Sequence, residues 1–210
     1  MRILNVTAQK PNSTGSGIFL MELMKEFAEV GHEQALVAGV YPQEETPLPD
    51  HVAFYPVYFE QGILNFPIVG MSDEMPYPST RYRDLTPKME VAFKESFLKQ
   101  LDEAVRDLNP DLILCHHLYL LTAIVREHFP DRKVFGFCHN TDLRQMQKTD
   151  LEREYITGQI RRLDRIFALH AEQKRTIQDI YDVPKEKIQV IGMGYNSHIF
   201  KNESLRVNDG

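Results

Sequence analysis

His116 and His139 each follow a short apolar run, at 111–115 and 133–138. An imidazole at the end of a strand can donate to a hydroxyl or polarise a neighbouring group. If the two runs are adjacent strands, both rings face one crevice. Asp142 follows His139 by three residues and is placed to support it. A second candidate is the loop after the first apolar run, which carries Gly15-Ser16-Gly17 just before a helical pattern. Glycines let a backbone approach a ligand, and a helix start offers free N–H groups and a positive dipole end. Such a loop suits a phosphate or a sugar hydroxyl. The plain alternative is a flexible turn with Ser16 as the helix cap. The spacing is neither the dinucleotide fingerprint nor a phosphate loop with its Lys-Ser/Thr pair.

The long stretch 60–86 mixes aromatic rings with arginines. Tyr77 could stack on a sugar, and Arg81 and Arg83, with Arg144 further on, could clamp a charged or polar acceptor. Solvated surface charge is the competing reading for all three arginines. The apolar segment 63–69 within this stretch suggests a lid packed on the core, or a patch touching a lipid-linked acceptor, with core packing the plainer of the two.

Other chemistries find less support. Cys115 and Cys138 lie near histidines, but no paired ligand spacing of the structural zinc type is present. Both cysteines sit in apolar runs and are expected to be buried and reduced, as in a cytoplasmic protein. No serine occupies a nucleophile elbow. The net charge of -6 over 210 residues argues against a general nucleic-acid surface. No apolar run is long enough to span a bilayer, and the amino terminus turns polar too soon for a secretory signal.

The elements that position these residues follow from periodicity. Strands are predicted at 2–7, 34–40, 52–59, 111–115, 133–138, 165–169 and 188–191. Leu20, Leu23, Met24, Phe27 and Ala28 share one helical face, and Gly31 ends that helix. A helix over 87–108 opens with Thr86 as cap and Pro87 in its first turn. Further helices are predicted at 118–128, 151–163 and 172–181. Apolar strands alternating with helices predict an α/β fold with an open, mostly parallel, Rossmann-like sheet and helices on both faces. Ligands in such folds bind at the carboxyl ends of the strands.

Taken together, the chain resembles the amino-terminal domain of group 1 (family 4) retaining glycosyltransferases of the GT-B architecture. Four features carry the resemblance. They are the glycine-containing loop and helix leading to Gly31-His32-Glu33, the run Pro110-Asp111-Leu112-Ile113-Leu114-Cys115-His116, the strand ending in His139, and the stretch from Val183-Pro184 through Gly192-Met193-Gly194-Tyr195-Asn196 to Phe200. The resemblance implies transfer of a sugar from a nucleotide-diphosphate sugar to a sugar or lipid-linked acceptor, with retention and without a metal or other cofactor. It implies that residues 1–195 form the acceptor-side domain. Residues 196–210 would then be a hinge toward a carboxyl-terminal Rossmann-like domain that binds the donor, without which the chain is inactive. By the same match, Gly15, Ser16 and Gly17 approach the donor phosphates or the acceptor, and His139 sits beside the transferred sugar. His116, Asp142, Arg144, Tyr77, Arg81 and Arg83 are the expected acceptor contacts. Two other readings stay open: a stand-alone nucleotide or sugar-phosphate binding module, and part of a GT-B nucleotide-sugar epimerase. A cytoplasmic protein is expected, with peripheral contact to the membrane's inner face left open.

Overall fold

The computed structural model describes residues 1–192 and Gly194. The expectations for Met193, Tyr195, Asn196, Phe200 and the hinge at 196–210 lie outside the described residues. The chain runs β1 (Arg2–Thr7), α1 (Gly15–Glu29), β2 (Glu33–Val40), β3 (Ala53–Tyr58), β4 (Val69–Gly70), β5 (Thr80–Arg81), a short 3-10 turn (Tyr82–Asp84), α2 (Pro87–Leu108) and β6 (Leu112–His116). It continues with α3 (Leu120–His128), β7 (Val134–Phe137), α4 (Thr141–Lys148), α5 (Arg153–Ile160), β8 (Arg165–Ala168), α6 (Ala171–Tyr181), a second 3-10 turn (Lys185–Lys187) and β9 (Ile188–Val190). No described helix is long and apolar enough to cross a membrane.

Seven strands form one parallel sheet in the order β3-β2-β1-β6-β7-β8-β9. This is the α/β, Rossmann-like sheet expected. The central strands are mostly apolar because both faces are covered, and the buried Asn5 amide on β1 donates to Gln34 Oε1 on β2 at 3.3 Å. Leu36, Ala38 and Leu114 pack under α1 with Leu20, Met24 and Phe19. Leu4, Val6, Val37 and Ile113 point the other way, into the larger core shared with α2, α3 and α5. On α2, Phe93, Phe97, Leu101 and Ala104 form one stripe with no exposure. Burying each of the large side chains is worth ~1.5–3 kcal/mol. Thr86 caps that helix through its hydroxyl, which accepts from the Met89 N–H at 3.3 Å, and Pro87 occupies the first turn.

Three details differ from expectation. The cap of α1 is Thr14, whose hydroxyl accepts from the Gly17 N–H at 3.1 Å; Ser16 already lies inside the helix. Helix α4 was not expected, because Thr141–Lys148 is polar apart from Leu143 and Met146 and shows too few apolar repeats. The stretch 60–86 is not an irregular lid. It contains the small parallel pair β4–β5 and buries Leu64, Phe66, Ile68 and Val69, which settles the apolar segment as core. The Tyr41 hydroxyl fastens it, donating to the Pro78 carbonyl and accepting from the Ile68 N–H.

Candidate functional site

The strand order reverses between β1 and β6, so the loops after β1, β6 and β7 rise around one crevice at the carboxyl edge of the sheet. The loop after β1 turns into α1 and presents Gly15 and Ser16. This turn depends on Gly17, where an added Cβ would lie 2.9 Å from the Asn12 nitrogen and 3.0 Å from the Lys10 carbonyl oxygen. Gly17 therefore lets the loop cross close over the helix start, and its own N–H is taken by Thr14. The expected ligand contact at Gly17 is replaced by this packing role. Gly15 has open space around its Cα and lines the cleft.

His116 ends β6, and His139 follows β7 by two residues. Because the strands are hydrogen-bonded neighbours, the rings stack at 16° with centroids 5.4 Å apart. His116 Nδ1 and His139 Nε2 are 3.2 Å apart, so one nitrogen donates and the other accepts. Phe19 of α1 stands edge-on to both rings, and Phe137 stacks on His116. His117, in a left-handed backbone conformation (φ 73°), packs its ring against His139 with centroids 4.8 Å apart. Its Nε2 lies 3.1 Å from the Ser16 hydroxyl and its Nδ1 3.4 Å from the Thr141 hydroxyl. Burial holds His139 down at about 4. Burial, with adjacent imidazole as the smaller cause, keeps His116 and His117 well below the ordinary histidine value. All three rings are neutral at pH 7. Each offers one donor and one acceptor, and none offers a charge.

Asp142 lies beneath this cluster, fully buried, where sequence reasoning had set it among the acceptor contacts. Its carboxylate accepts from the N–H groups of Leu118 (2.7 Å), His139 (3.2 Å) and Leu143 (3.1 Å), and the Cys138 thiol is 3.5 Å away. It ties the turn after β6 to the turn after β7 and so fixes the backbone of His139. Burial raises its pKa, against the pull of these four donors. An Asp142→Asn variant puts an N–H₂ where two backbone donors already point. The expected loss is ~2–3 kcal/mol of unfolding free energy, measured by urea denaturation.

Above the cluster is a cleft of about 510 Å³, lined on one side by Gly15, Ser16 and Phe19 and on the other by His139, Asn140 and Thr141. Met71, Met75 and Pro76 form its third wall, held in place where the Gln145 amide donates to the Met71 carbonyl at 3.0 Å. Leu169 after β8 closes the far end. Asn140, at φ 65°, is fixed by the buried Gln173, whose amide donates to Asn140 Oδ1 at 2.8 Å while its oxygen accepts from the Leu169 N–H at 2.6 Å. A larger hollow of about 680 Å³ lies at the opposite edge, by the end of α1 and the start of β2, away from every carboxyl strand end.

Among the sequence candidates, Gly15, Ser16 and His139 reach the cleft, and His116 stands one ring behind. The other six, Gly17, Asp142, Tyr77, Arg81, Arg83 and Arg144, do not line it. Arg81 is exposed and pairs with Asp84 at 2.6 Å, and Arg83 faces Asp73 at 3.7 Å. Arg144 is exposed on α4. Tyr77 packs behind the wall with Lys10 over its ring at 5.3 Å. Gln9, Asn140 and Leu169 were missed, although each stands within three residues of a strand end, which was the available signal. Cys115 and Cys138 are free and buried, and burial pushes the Cys115 thiol up to about 12. Among the described residues no group of three His, Cys, Asp or Glu side chains is placed to hold a metal ion.

Comparison with known proteins places this geometry. No curated protein sequence matches the chain. Among solved structures, sucrose-phosphate synthase from Thermosynechococcus elongatus superposes with a TM-score of 0.68 at 11% identity, covering 95% of this chain and 50% of that one. The catalytic domain of starch synthase IV from Arabidopsis thaliana, bound to ADP and acarbose, gives 0.60 at 13%, covering 94% and 52%. The UDP-GlcNAc 2-epimerase of Methanocaldococcus jannaschii gives 0.53 at 10%, covering 91% and 45%. These likenesses establish a Rossmann-like fold of the GT-B kind, and the chain spans about half the length of the structures it matches. The sequence model of Glycosyltransferase Family 4 aligns with residues 13–198, from the loop before α1 to beyond β9. With the match running through nearly every element that builds the cleft, the chain belongs to glycosyltransferase family 4.

Proposed function

We propose that residues 1–195 are the acceptor-side domain of a retaining glycosyltransferase, and that residues 196–210 lead to a second Rossmann-like domain that holds a nucleotide-diphosphate sugar. The observation that carries this reading is the convergence of Gly15, Ser16 and His139, from two separate strand ends, on one cleft at the switch in strand order. The family membership and the half-length coverage of the matched structures support the two-domain arrangement. In this reading the acceptor enters the cleft from the side of Met71 and Pro76. The N–H groups opening α1 face the donor's diphosphate, where the helix end favours negative charge. His139, neutral, donates to an oxygen of the transferred sugar. Domain closure then removes water, which strengthens these contacts and suppresses hydrolysis. No metal or cofactor takes part, the protein works in the cytoplasm, and the buried reduced cysteines suit that compartment.

The stand-alone nucleotide module is separated from this reading by calorimetry. The 210-residue chain should bind uridine or adenosine diphosphate more weakly than a Kd of about 1 mM, because half of the donor site is elsewhere. Micromolar binding by the chain alone would assign the module instead. An epimerase needs acid and base groups at the sugar. The one carboxylate on the cleft among the described residues is the exposed Glu74.

A further inference from the structure

Among the described residues, no lysine or arginine lines the cleft that holds His139, Gly15 and Ser16. Arg144 is exposed on α4 and stands outside the lining, and four other cations nearby are committed elsewhere. Lys10 pairs with Glu44 and lies over the Tyr77 ring. Arg83 and Lys148 both face Asp73, at 3.7 and 3.4 Å. Arg81 is held by Asp84. The imidazoles carry no charge at neutral pH because burial disfavours it. The single charged side chain on the lining is acidic, Glu74.

What the cleft offers instead is neutral hydrogen bonding beside apolar faces. Gln9 is the clearest case. It is 3% exposed, its oxygen lies 3.5 Å from the Ser16 hydroxyl, and its Nε2 donor has no partner. A buried amide donor without a partner is costly, and a ligand oxygen is the partner this one lacks. Asn140 and Thr141 line the cleft nearby, with Phe19 and Leu169 as the apolar faces. A dianionic group placed here would lose its water and meet a carboxylate, with no cation to compensate.

We infer that the acceptor of this cleft is an uncharged sugar or polyol, its hydroxyls gripped by the Gln9 amide and the His139 imidazole and its apolar face laid on Phe19 and Leu169, and that sugar phosphates and pyrophosphate-linked lipids are excluded. The inference rests on the acceptor reading of the cleft, and it removes one of the two acceptor types that reading admits. Two described helices start at the cleft: the start of α4 is met by the Asp142 carboxylate of its own first turn, and the start of α1 is taken by the donor's diphosphate in the proposed reaction.

The test is a titration of the isotope-labelled chain with matched pairs: methyl glucoside against glucose 6-phosphate, and inositol against inositol 1-phosphate. The signals followed are the Gln9 side-chain amide and the backbone N–H groups of His139 and Asn140. The neutral member of at least one pair should shift all three, and its phosphorylated partner should bind at least about tenfold more weakly. Tighter binding of the phosphorylated member through the same signals would overturn the inference while leaving the acceptor reading intact. If no member of either pair moves these signals, the acceptor reading fails and the inference goes with it. Two variants sharpen the outcome. Gln9→Leu, similar in size but without the donor, should weaken the neutral ligand about tenfold. Ser13→Arg, which adds a cation to the lining, should raise the affinity for the phosphorylated member about tenfold or more. Absence of that gain would show that charge does not set the selection, and would overturn the inference.

Discussion

Replacing His139 with alanine in the two-domain protein is expected to lower kcat for sugar transfer by about 100-fold or more, with a smaller change in the acceptor's KM. The magnitude is that of removing one placed hydrogen-bond donor from a water-excluded reaction centre. His139 lines the cleft and is fixed from three sides. Asp142 holds its backbone N–H, His116 meets its Nε2 at 3.2 Å, and Phe19 stands against its ring with centroids 5.5 Å apart. An imidazole positioned so firmly loses little entropy when a ligand oxygen arrives. The measurement is nucleoside-diphosphate release at saturating acceptor, with circular dichroism to show that the variant is folded. His139→Gln keeps an N–H donor on a side chain of similar reach and should recover part of the loss. Full activity in the alanine variant would remove His139 from the reaction.

Lowering the pH from 7 to 5 is expected to destabilise the fold through the same cluster. The sign follows from the direction of the shifts. His139 titrates at about 4 in the folded protein against 6.5 for a free histidine. The unfolded chain therefore binds the extra proton first. The contribution of His139 is fully present above pH 6.5, is lost as pH falls, and is gone below pH 4. At pH 5 the loss is about 2 kcal/mol for His139 alone, or roughly 4–8 °C in Tm for a chain of this size. His116 and His117 shift in the same direction and add to it. Asp142 acts oppositely. Its folded pKa lies above the free value, so its protonation favours the folded state and offsets part of the loss at the acid end. Scanning calorimetry at pH 7 and pH 5 measures the effect. His139→Ala should shed part of the pH dependence, and a wild-type Tm unchanged between the two values would show that the cluster is not buried as described.

Much of this arrangement was legible beforehand, and the parts that were not share a physical reason. Helix α2 announced itself because Phe93, Phe97, Leu101 and Ala104 repeat on one face and Thr86-Pro87 marks its start. His139 was found because an apolar run ends just before it, and its position beside His116 followed once β6 and β7 proved to be neighbours. Helix α4 was hidden because its stability comes from Leu143, Met146 and the buried Asp142 docking onto other elements, not from its own periodicity. The order of the stretch 60–86 depends on Tyr41, some 37 residues distant from its partner Pro78, and no local pattern encodes such a bond. The arginines do not line the cleft: Asp84 and Asp73 stand close by in the same segment and pair with Arg81 and Arg83, a match that charge alone does not reveal. Gln9 passed unnoticed because a glutamine in a loop carries no motif. Burial and the missing partner of its amide single it out among the residues that follow β1.

The most direct measurement is product analysis by proton NMR after incubating the two-domain protein with a nucleotide-diphosphate sugar and a neutral sugar acceptor. The expected product is a new glycoside with the donor's anomeric configuration, formed by the two-domain protein and not by the 210-residue chain alone. A product with inverted configuration, a donor sugar epimerised without transfer, or full transfer by the 210-residue chain would contradict the proposed function.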